Sequence, residues 1–151
     1  MKNVDQLQSV LIRKIDSFEN ESGIIEYCNE LILNKYRRFY TITHPDTNKI
    51  RAWQAHSQES KCFVPLKGRF IVSWVKIDCF KNPSLNLKAE SIILDSTCKK
   101  LVEIPKGYAN GLKALEPNSE LLVFSEFFLE KSLKEKVRFD SNLWFNWNKY
   151  D

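Results

Sequence analysis

The sequence is short of glycine, proline and histidine, and these shortages limit what it can be. Its 151 residues include four glycines, five prolines and two histidines, whereas apolar residues make up 43% and aromatic residues 13%. A disordered chain would be poor in aromatic and β-branched residues, so this composition is that of a folded protein. Many aromatic residues with few glycines and prolines favour a β-rich body. The length fits one domain over residues 1–151.

Long apolar runs and cysteine pairs are also missing. No segment approaches the roughly 18 apolar residues that cross a bilayer. Residues 1–18 carry scattered charges rather than the apolar stretch of a secretory signal. We therefore expect a cytoplasmic protein without membrane contact. The sequence contains no C-x-x-C pair, so we expect its four cysteines to be reduced core residues rather than disulfide partners or zinc ligands: Cys28, Cys62, Cys79 and Cys98.

The positive charge is mild and evenly spread. The net charge is +4, with lysines and arginines along the whole chain. A nucleic-acid-binding protein would be expected to concentrate its basic residues on one segment or face, so we expect no nucleic-acid partner. The excess is compatible both with a small anionic ligand and with an ordinary solvated surface.

Turn residues separate about eight short segments that are apolar and prone to form strands. We predict strands over residues 37–43, 49–56, 61–66, 69–78, 90–95, 101–104, 108–115 and 120–128. We predict that Gly68 supplies the positive φ of a hairpin turn. Residues 3–17 are predicted to form a helix or an irregular lead-in, residues 16–23 a turn, and residues 131–136 one helical turn. Many short strands with turns between them predict an all-β jelly roll with short peripheral helical turns.

Two segments resemble the paired motifs of the cupin superfamily. The first motif has His-x-His, then Glu, then Gly, and its spacing fits residues 54–56, Lys61 and Gly68. The second motif has Pro-x-Gly and then His, and its spacing fits residues 105–107 and Asn110. The turn residues are kept, whereas the metal ligands are not.

The metal positions of a cupin correspond here to Gln54, His56, Lys61 and Asn110. Only His56 is a good ligand for a transition metal, and the cation of Lys61 would repel one. The resemblance therefore implies a cupin without a metal or another cofactor. A metal-dependent cupin oxygenase is the remaining alternative of this kind, and it would require bound metal.

The likeness is closest to cupins that act on nucleotide sugars. Residues 37–56, 104–115 and 121–128 resemble dTDP-4-dehydrorhamnose 3,5-epimerases and, more closely, WxcM-like dTDP-sugar 3,4-ketoisomerases. It extends from about residue 23 to residue 140. It implies an RmlC-like jelly roll, a homodimer, and a dTDP-linked 4-keto-6-deoxyhexose as the partner molecule.

The sequence departs from these enzymes at the residues that move protons. Gln54 occupies the position of their catalytic base, and an amide cannot remove a proton at neutral pH. The strand over residues 120–128 contains no tyrosine to serve as their general acid. His56 remains as a candidate base because its unperturbed pKa is near neutral. Tyr108 and Lys61 are candidate acids.

Further site residues have both a binding and a structural interpretation. Arg51 matches an arginine that contacts the diphosphate, although a surface charge is the alternative. Lys61 and Arg69 are candidates for further phosphate contacts, and Gln54 and Asn110 for the wall of the site. Trp53 and Trp74 could stack on a ligand, and a position in the core is the alternative. The aromatic residues of the tail could cover a sheet edge or a partner subunit: Trp144, Phe145 and Trp147. We expect His44 to be solvated.

Two functions remain open from the sequence. One is an isomerase or epimerase that removes a proton next to a keto group and returns it through an enediol or enediolate. The other is a catalytically silent cupin that binds a nucleotide sugar or another carbohydrate as an accessory protein. Gln54 favours the second function, and His56 favours the first.

Overall fold

The computed structural model describes residues 9–151, and two five-stranded antiparallel sheets face each other within it. The first sheet has the order β1-β9-β6-β11-β4, the second has the order β12-β5-β10-β7-β8, and β2 and β3 form a separate ribbon. This arrangement confirms the predicted all-β jelly roll. The strands are β1 Leu11–Lys14, β2 Asp16–Asn20, β3 Gly23–Tyr27, β4 Arg38–His44, β5 Ile50–His56, β6 Lys61–Lys67, β7 Arg69–Lys76, β8 Glu90–Asp95, β9 Lys100–Ile104, β10 Tyr108–Ala114, β11 Ser119–Ser125 and β12 Lys136–Arg138.

The main core lies between the two five-stranded sheets. Alternate residues of each strand point inward, as the two-residue period of a strand requires. Burying these side chains is the main favourable contribution to folding. The core side chains that are at most 3% exposed are Phe63, Phe70, Val72, Leu94, Val102, Ile104, Leu112, Ala114, Leu121 and Val123.

A second apolar cluster covers the outer face of the second sheet. Trp53, Ile71 and Val75 project from this face, and the C-terminal tail lies across them through Trp147. Both faces of β7 are therefore buried, as the sequence predicts. The tail aromatics cover a sheet face, which corrects the prediction that they cover a sheet edge or a partner subunit.

The structure corrects the predictions for the N-terminal part. The predicted helix or lead-in at residues 3–17 contains β1 and the start of β2, and residues 3–8 lie outside the described range. The predicted turn at residues 16–23 is mostly β2. Pairing decides this outcome, because β1 pairs with β9 and β2 pairs with β3, which overrides the apparent helical spacing.

The helical segments are short and peripheral. The predicted helical turn is present as helix α1, Leu129–Glu135, and 3-10 turns occur at Leu33–Lys35 and Trp147–Tyr150. In residues 9–151 no helix is long and apolar enough to cross a membrane.

The cysteines follow the prediction only in part. All four are free thiols, but only Cys62 is fully buried, whereas Cys79 and Cys98 are exposed. Burial raises the pKa of the Cys62 thiol, so it behaves as an apolar core residue.

A buried carboxylate ties the N-terminal segment to the first sheet. Glu103 accepts hydrogen bonds from Tyr36 at 2.6 Å and Arg13 at 2.7 Å, and Lys35 lies 3.1 Å away. Burial alone would raise the pKa of Glu103, but these hydrogen bonds and the charge of Lys35 lower it overall. The ionised carboxylate therefore stabilises the fold above the ordinary glutamate pKa of about 4.3, and this contribution is lost as the pH falls through the folded pKa.

We expect Glu103→Gln to lower the melting temperature at pH 7 and to flatten its fall on acidification. Glutamine keeps the shape of the side chain but does not titrate. Melting curves of both proteins between pH 7 and pH 3.5 test this, with the exposed Glu130→Gln as the control. An unchanged dependence on pH in Glu103→Gln would contradict this account of Glu103.

Candidate functional site

Polar residues occupy one end of the space between the sheets. Strand pairing sets them in two rows across the second sheet: Lys136, His56 and Tyr108 in one row, and Arg138, Gln54 and Asn110 in the next. Directly paired residues share a face with their Cβ atoms about 5 Å apart, so the members of a row are side by side. We call this polar end the mouth.

A break in the strand register places Arg51 at the mouth. Asn110 pairs with Gln54, but Leu112 pairs with Arg51, so β5 has one extra residue at this point. A bulge of this kind reverses the alternation of side chains along the bulged strand. Leu112 belongs to the inner core and Trp53 to the outer cluster. Arg51 therefore lies on the inner side together with Gln54 and His56.

The first sheet supplies the opposite wall of the mouth. Ser125 pairs with Arg38 on one side and with Lys61 on the other. The ring of Tyr40 lies between these two cations, with the Arg38 guanidinium 4.9 Å and the Lys61 ammonium 5.4 Å from its centre. Burial raises the pKa of Tyr40, and the charges of Arg38 and Arg51 partly oppose this increase. Tyr40 is therefore a neutral phenol surrounded by positive charge.

His56 forms a hydrogen-bonded pair with a carboxylate. Its Nδ1 atom lies 2.8 Å from Oε1 of Glu135, and the backbone N–H of Ser57 donates to Oε2 of the same carboxylate at 3.1 Å. Glu135 is the last residue of α1, so this helix ends beside His56. Among residues 9–151, no protein group hydrogen-bonds to Nε2 of His56, and this atom is not among the buried unpartnered atoms. A carboxylate on Nδ1–H leaves Nε2 as the free basic nitrogen.

Glu59 is a second carboxylate beside His56, and both of its oxygens already accept hydrogen bonds. It accepts hydrogen bonds from Ser125 and Ser132, and Lys61 lies 3.3 Å from its Oε1 atom. Burial alone would raise the pKa of Glu59, but the two serines, Lys61 and His56 lower it overall. Burial also lowers the pKa of Lys61, although Glu59 opposes this decrease. Glu59 and Lys61 thus form a buried ion pair in the wall.

The two carboxylates and His56 do not fit a metal site. Their potential ligand atoms lie within 4.8 Å of one another. However, both oxygens of Glu59 already accept hydrogen bonds from serines, and the ammonium group of Lys61 adjoins one of them. A divalent ion at this point would lie beside a fixed positive charge and would compete with those donors.

The electrostatic character of the mouth is positive. Burial, together with the charges of Arg138, Arg51 and Arg38, lowers the pKa of Lys136. A cavity of about 250 Å³ between Arg51, Gln54 and Arg138 opens at this edge. The five cations of the mouth outnumber the nearby carboxylates Glu59, Glu90 and Glu135: Arg38, Arg51, Lys61, Lys136 and Arg138. Such a field favours an anionic ligand.

The structure brings most of the predicted site residues together. Arg51, Gln54, His56, Lys61, Tyr108 and Asn110 all lie at the mouth. Tyr108 lies directly opposite His56 across the strand pair, and burial together with the charge of Glu90 raises its pKa.

Two predicted binding residues lie elsewhere. Trp53 is fully buried on the outer face and donates to the carbonyl of Leu143 at 2.8 Å, so it is a core residue rather than a stacking platform. Arg69 begins β7 beside Asp95, seven residues from the level of His56, or roughly 20 Å along the strand. Arg69 does not reach the mouth, and Trp53 contributes only to the lining of the cavity between Arg51, Gln54 and Arg138.

His44 and Trp74 also take structural positions. His44 is only 4% exposed and packs edge-on against Phe70, which corrects the prediction of a solvated side chain. Trp74 belongs to the inner core and donates to the carboxylate of Glu90 at 3.2 Å.

Several residues of the mouth have no signal in the sequence motifs. Glu135, Lys136 and Arg138 come from a charged segment that resembles a solvated surface, and they reach the mouth only because α1 and β12 fold back onto β5. Tyr40 lies in a strand that the sequence predicts. Side chains along β4 alternate between two faces, so Tyr40 points away from the face that carries Phe39 and Thr41. This alternation could have indicated that Tyr40 faces inward.

Several solved structures that share this fold are nucleotide-sugar enzymes. A dTDP-4-dehydrorhamnose 3,5-epimerase from Bacillus anthracis, solved with TDP and PPi, has 14% identity and a TM-score of 0.74, over 92% of this chain and 83% of the epimerase. A dTDP sugar isomerase from Desulfovibrio desulfuricans has 15% identity and a TM-score of 0.73, over 95% and 94%. The 3,4-ketoisomerase QdtA from Thermoanaerobacterium thermosaccharolyticum, as a mutant in complex with TDP-4-keto-6-deoxyglucose, has 18% identity and a TM-score of 0.67, over 96% and 93%.

These comparisons establish the fold. The chain has the RmlC-like jelly roll of these proteins, as its motifs predict. No protein-family model and no curated protein matches the chain.

Proposed function

We propose that the protein binds a dTDP-linked 4-keto-6-deoxyhexose at the mouth and isomerises or epimerises it by proton transfer. The pair of His56 and Glu135 carries this proposal, because it presents a basic nitrogen at a site surrounded by cations. The solved structures with the same fold include enzymes with related substrates, which supports the choice of ligand.

In the proposed reaction His56 is the base. Its Nε2 atom takes a proton from the carbon next to the keto group, and the electrons of that C–H bond form the enediolate. A neutral tyrosine then donates a proton to the developing oxyanion. Tyr108, opposite His56, is the candidate predicted from the sequence, and Tyr40, 3.5 Å from the ammonium of Lys61, is a second candidate that emerges from the structure. The protonated His56 then returns a proton to carbon while the enediol hydroxyl gives its proton back to the tyrosinate, which re-forms a keto group and restores both residues.

In the proposed complex the cations hold the diphosphate. Arg51 and Arg138 flank the cavity at the open edge of the mouth. Guanidinium groups bind phosphate oxygens in pairs, so these residues are suited to a nucleoside diphosphate. The sugar would then extend inward toward Gln54, Asn110 and His56.

We expect Arg51→Ala to weaken the binding of dTDP by about 10- to 100-fold, which is the worth of a hydrogen bond to a charged group. Isothermal titration calorimetry measures this directly. Arg69→Ala is the matched control, because Arg69 lies at the far end of β7. Equal affinities in both variants would place the diphosphate elsewhere.

A catalytically silent binding protein is the second candidate. Gln54 and Asn110 face each other across the strand pair, and two amides can hold sugar hydroxyls without moving a proton. Incubation with dTDP-4-keto-6-deoxyglucose in deuterated water separates the two functions. Binding with exchange of a carbon-bound hydrogen supports the enzyme, and binding without exchange supports the accessory protein.

We also propose a homodimer located in the cytoplasm. The ribbon of β2 and β3 is exposed along its whole length, including Phe18, Ile24 and Ile25. An isolated two-stranded ribbon is marginally stable, and exposed apolar residues on it are suited to contact with a second copy. The free thiols are compatible with a reducing compartment. Sedimentation velocity of the protein and of Ile24→Asp tests the dimer, which the substitution should dissociate.

A further inference from the structure

The helix that carries Glu135 is held in place at a buried serine. Ser132 lies in the middle of α1 and is 3% exposed. Its hydroxyl donates to Oε2 of Glu59 at 2.6 Å and accepts from the guanidinium of Arg38 at 3.3 Å. Arg38 also donates to the carbonyl of Phe127, just before the helix, at 3.1 Å. The seven-residue helix is therefore joined to the first sheet through Arg38 and to the loop between β5 and β6 through Glu59.

Two carboxylates compete for the same nitrogen of His56. Oε1 of Glu135 lies 2.8 Å from Nδ1, and Oε2 of Glu59 lies 3.5 Å from it. The hydroxyl of Ser132 already donates to that oxygen of Glu59. Because this hydrogen bond holds Oε2 of Glu59 at the longer distance, Glu135 is the carboxylate that accepts the proton of Nδ1.

We propose that Ser132, acting with Glu59, is a positioning residue that selects Glu135 as the partner of His56. The inference rests on the proposed function for its catalytic meaning, but the hydrogen bonds that it describes exist in the free protein. Ser132 lies on the side of His56 that bears Nδ1 and holds α1 in place. Its effect passes through Glu59 and Glu135 to the orientation of the His56 ring.

Loss of the Ser132 hydroxyl changes the surroundings of His56 in two ways. Oε2 of Glu59 becomes free to accept from Nδ1, and α1 loses its buried anchor. The imidazole then divides between two orientations, and Nε2 no longer points at one fixed location. At metal-bound histidines, removing such an orienting partner costs about 10- to 100-fold in metal affinity or activity, and we expect a similar loss of kcat in Ser132→Ala with little change in KM.

Nitrogen-15 NMR of the imidazole rings tests the inference without substrate. The chain has only two histidines, so His44→Asn assigns both sets of signals. In the wild-type protein we expect the neutral ring of His56 to carry its proton on Nδ1. In Ser132→Ala we expect the Nδ1 signal of His56 to shift and broaden, because its proton divides between Glu135 and Glu59, and Ser132→Thr, which keeps the hydroxyl, should restore the wild-type signal. Lys134→Ala is the control on the solvent side of the same helix.

Glu59→Gln gives a second, independent variant. It keeps the size of the side chain but removes the charge that competes for Nδ1, so its effect and that of Ser132→Ala should be strongly non-additive. An unchanged Nδ1 signal of His56 in Ser132→Ala, or a wild-type ring protonated on Nε2, would overturn the inference. If the wild-type protein exchanges no hydrogen with a keto sugar, the proposed reaction fails, whereas the NMR result still decides the role of Ser132.

Discussion

Replacement of His56 by asparagine should abolish proton exchange while leaving nucleotide binding nearly intact. Asparagine can still donate a hydrogen bond to Glu135, but it has no basic nitrogen at neutral pH. A positioned acid or base contributes about 10²- to 10⁴-fold to the rate, so a loss of that size is expected for kcat. The assay follows deuterium incorporation into dTDP-4-keto-6-deoxyglucose, and calorimetry with dTDP reports binding.

The control for this prediction is the same change at the other histidine. His44 packs against Phe70 and makes no hydrogen bond to Glu135 or Glu59. His44→Asn should therefore retain exchange, provided that both variants are assayed below their melting temperatures. If His56→Asn exchanged hydrogen at the wild-type rate, the base would have to be another residue.

The second large effect concerns stability and lies on the opposite face of the sheet. Trp147 is 3% exposed, packs against Trp53 and Phe145, and donates to the carbonyl of Ser141 at 3.0 Å. Trp147→Ala should lower the free energy of unfolding by about 3–5 kcal/mol, the range for truncation of a buried aromatic residue. Denaturation by urea, followed by circular dichroism, measures this.

The close contact at Gly111 explains why small movements of neighbouring residues cannot fill the space that Trp147→Ala would leave. A Cβ atom on Gly111 would lie 2.7 Å from Cβ of Ala52 and 2.8 Å from the indole of Trp147, so the ring rests directly on the backbone of β10. Phe128→Ala removes an aromatic side chain that is 66% exposed and should change stability by less than about 0.5 kcal/mol. A loss in Trp147→Ala as small as that expected for Phe128→Ala would show that the tail does not stabilise the sheet.

The strands and the general position of the site were predictable from local patterns. Aromatic and β-branched segments between turn residues gave β4 to β11 within a few residues, and Gly68 has the predicted positive φ of 69°. The motif spacing correctly indicated that Gln54, His56, Tyr108 and Asn110 lie together, because strand pairing preserves such spacing.

What the sequence did not predict depends on contacts between distant segments. The extra residue in β5 turns Arg51 inward and Trp53 outward, and simple alternation along the strand cannot reveal it. Glu135 reaches His56 from 79 residues away, through a helix whose own sequence resembles a solvated surface. The burial of His44 likewise depends on its pairing with Ser119 at the end of β11.

The central claim is that the mouth performs proton transfer on a nucleotide-linked keto sugar. The most direct measurement is mass spectrometry and proton NMR of dTDP-4-keto-6-deoxyglucose after incubation with the wild-type protein in deuterated water. We expect deuterium at a carbon next to the keto group, at a rate that His56→Asn removes. Tight binding of the same compound without any deuterium above the protein-free control would contradict the claim and would identify the protein as a nucleotide-sugar-binding cupin.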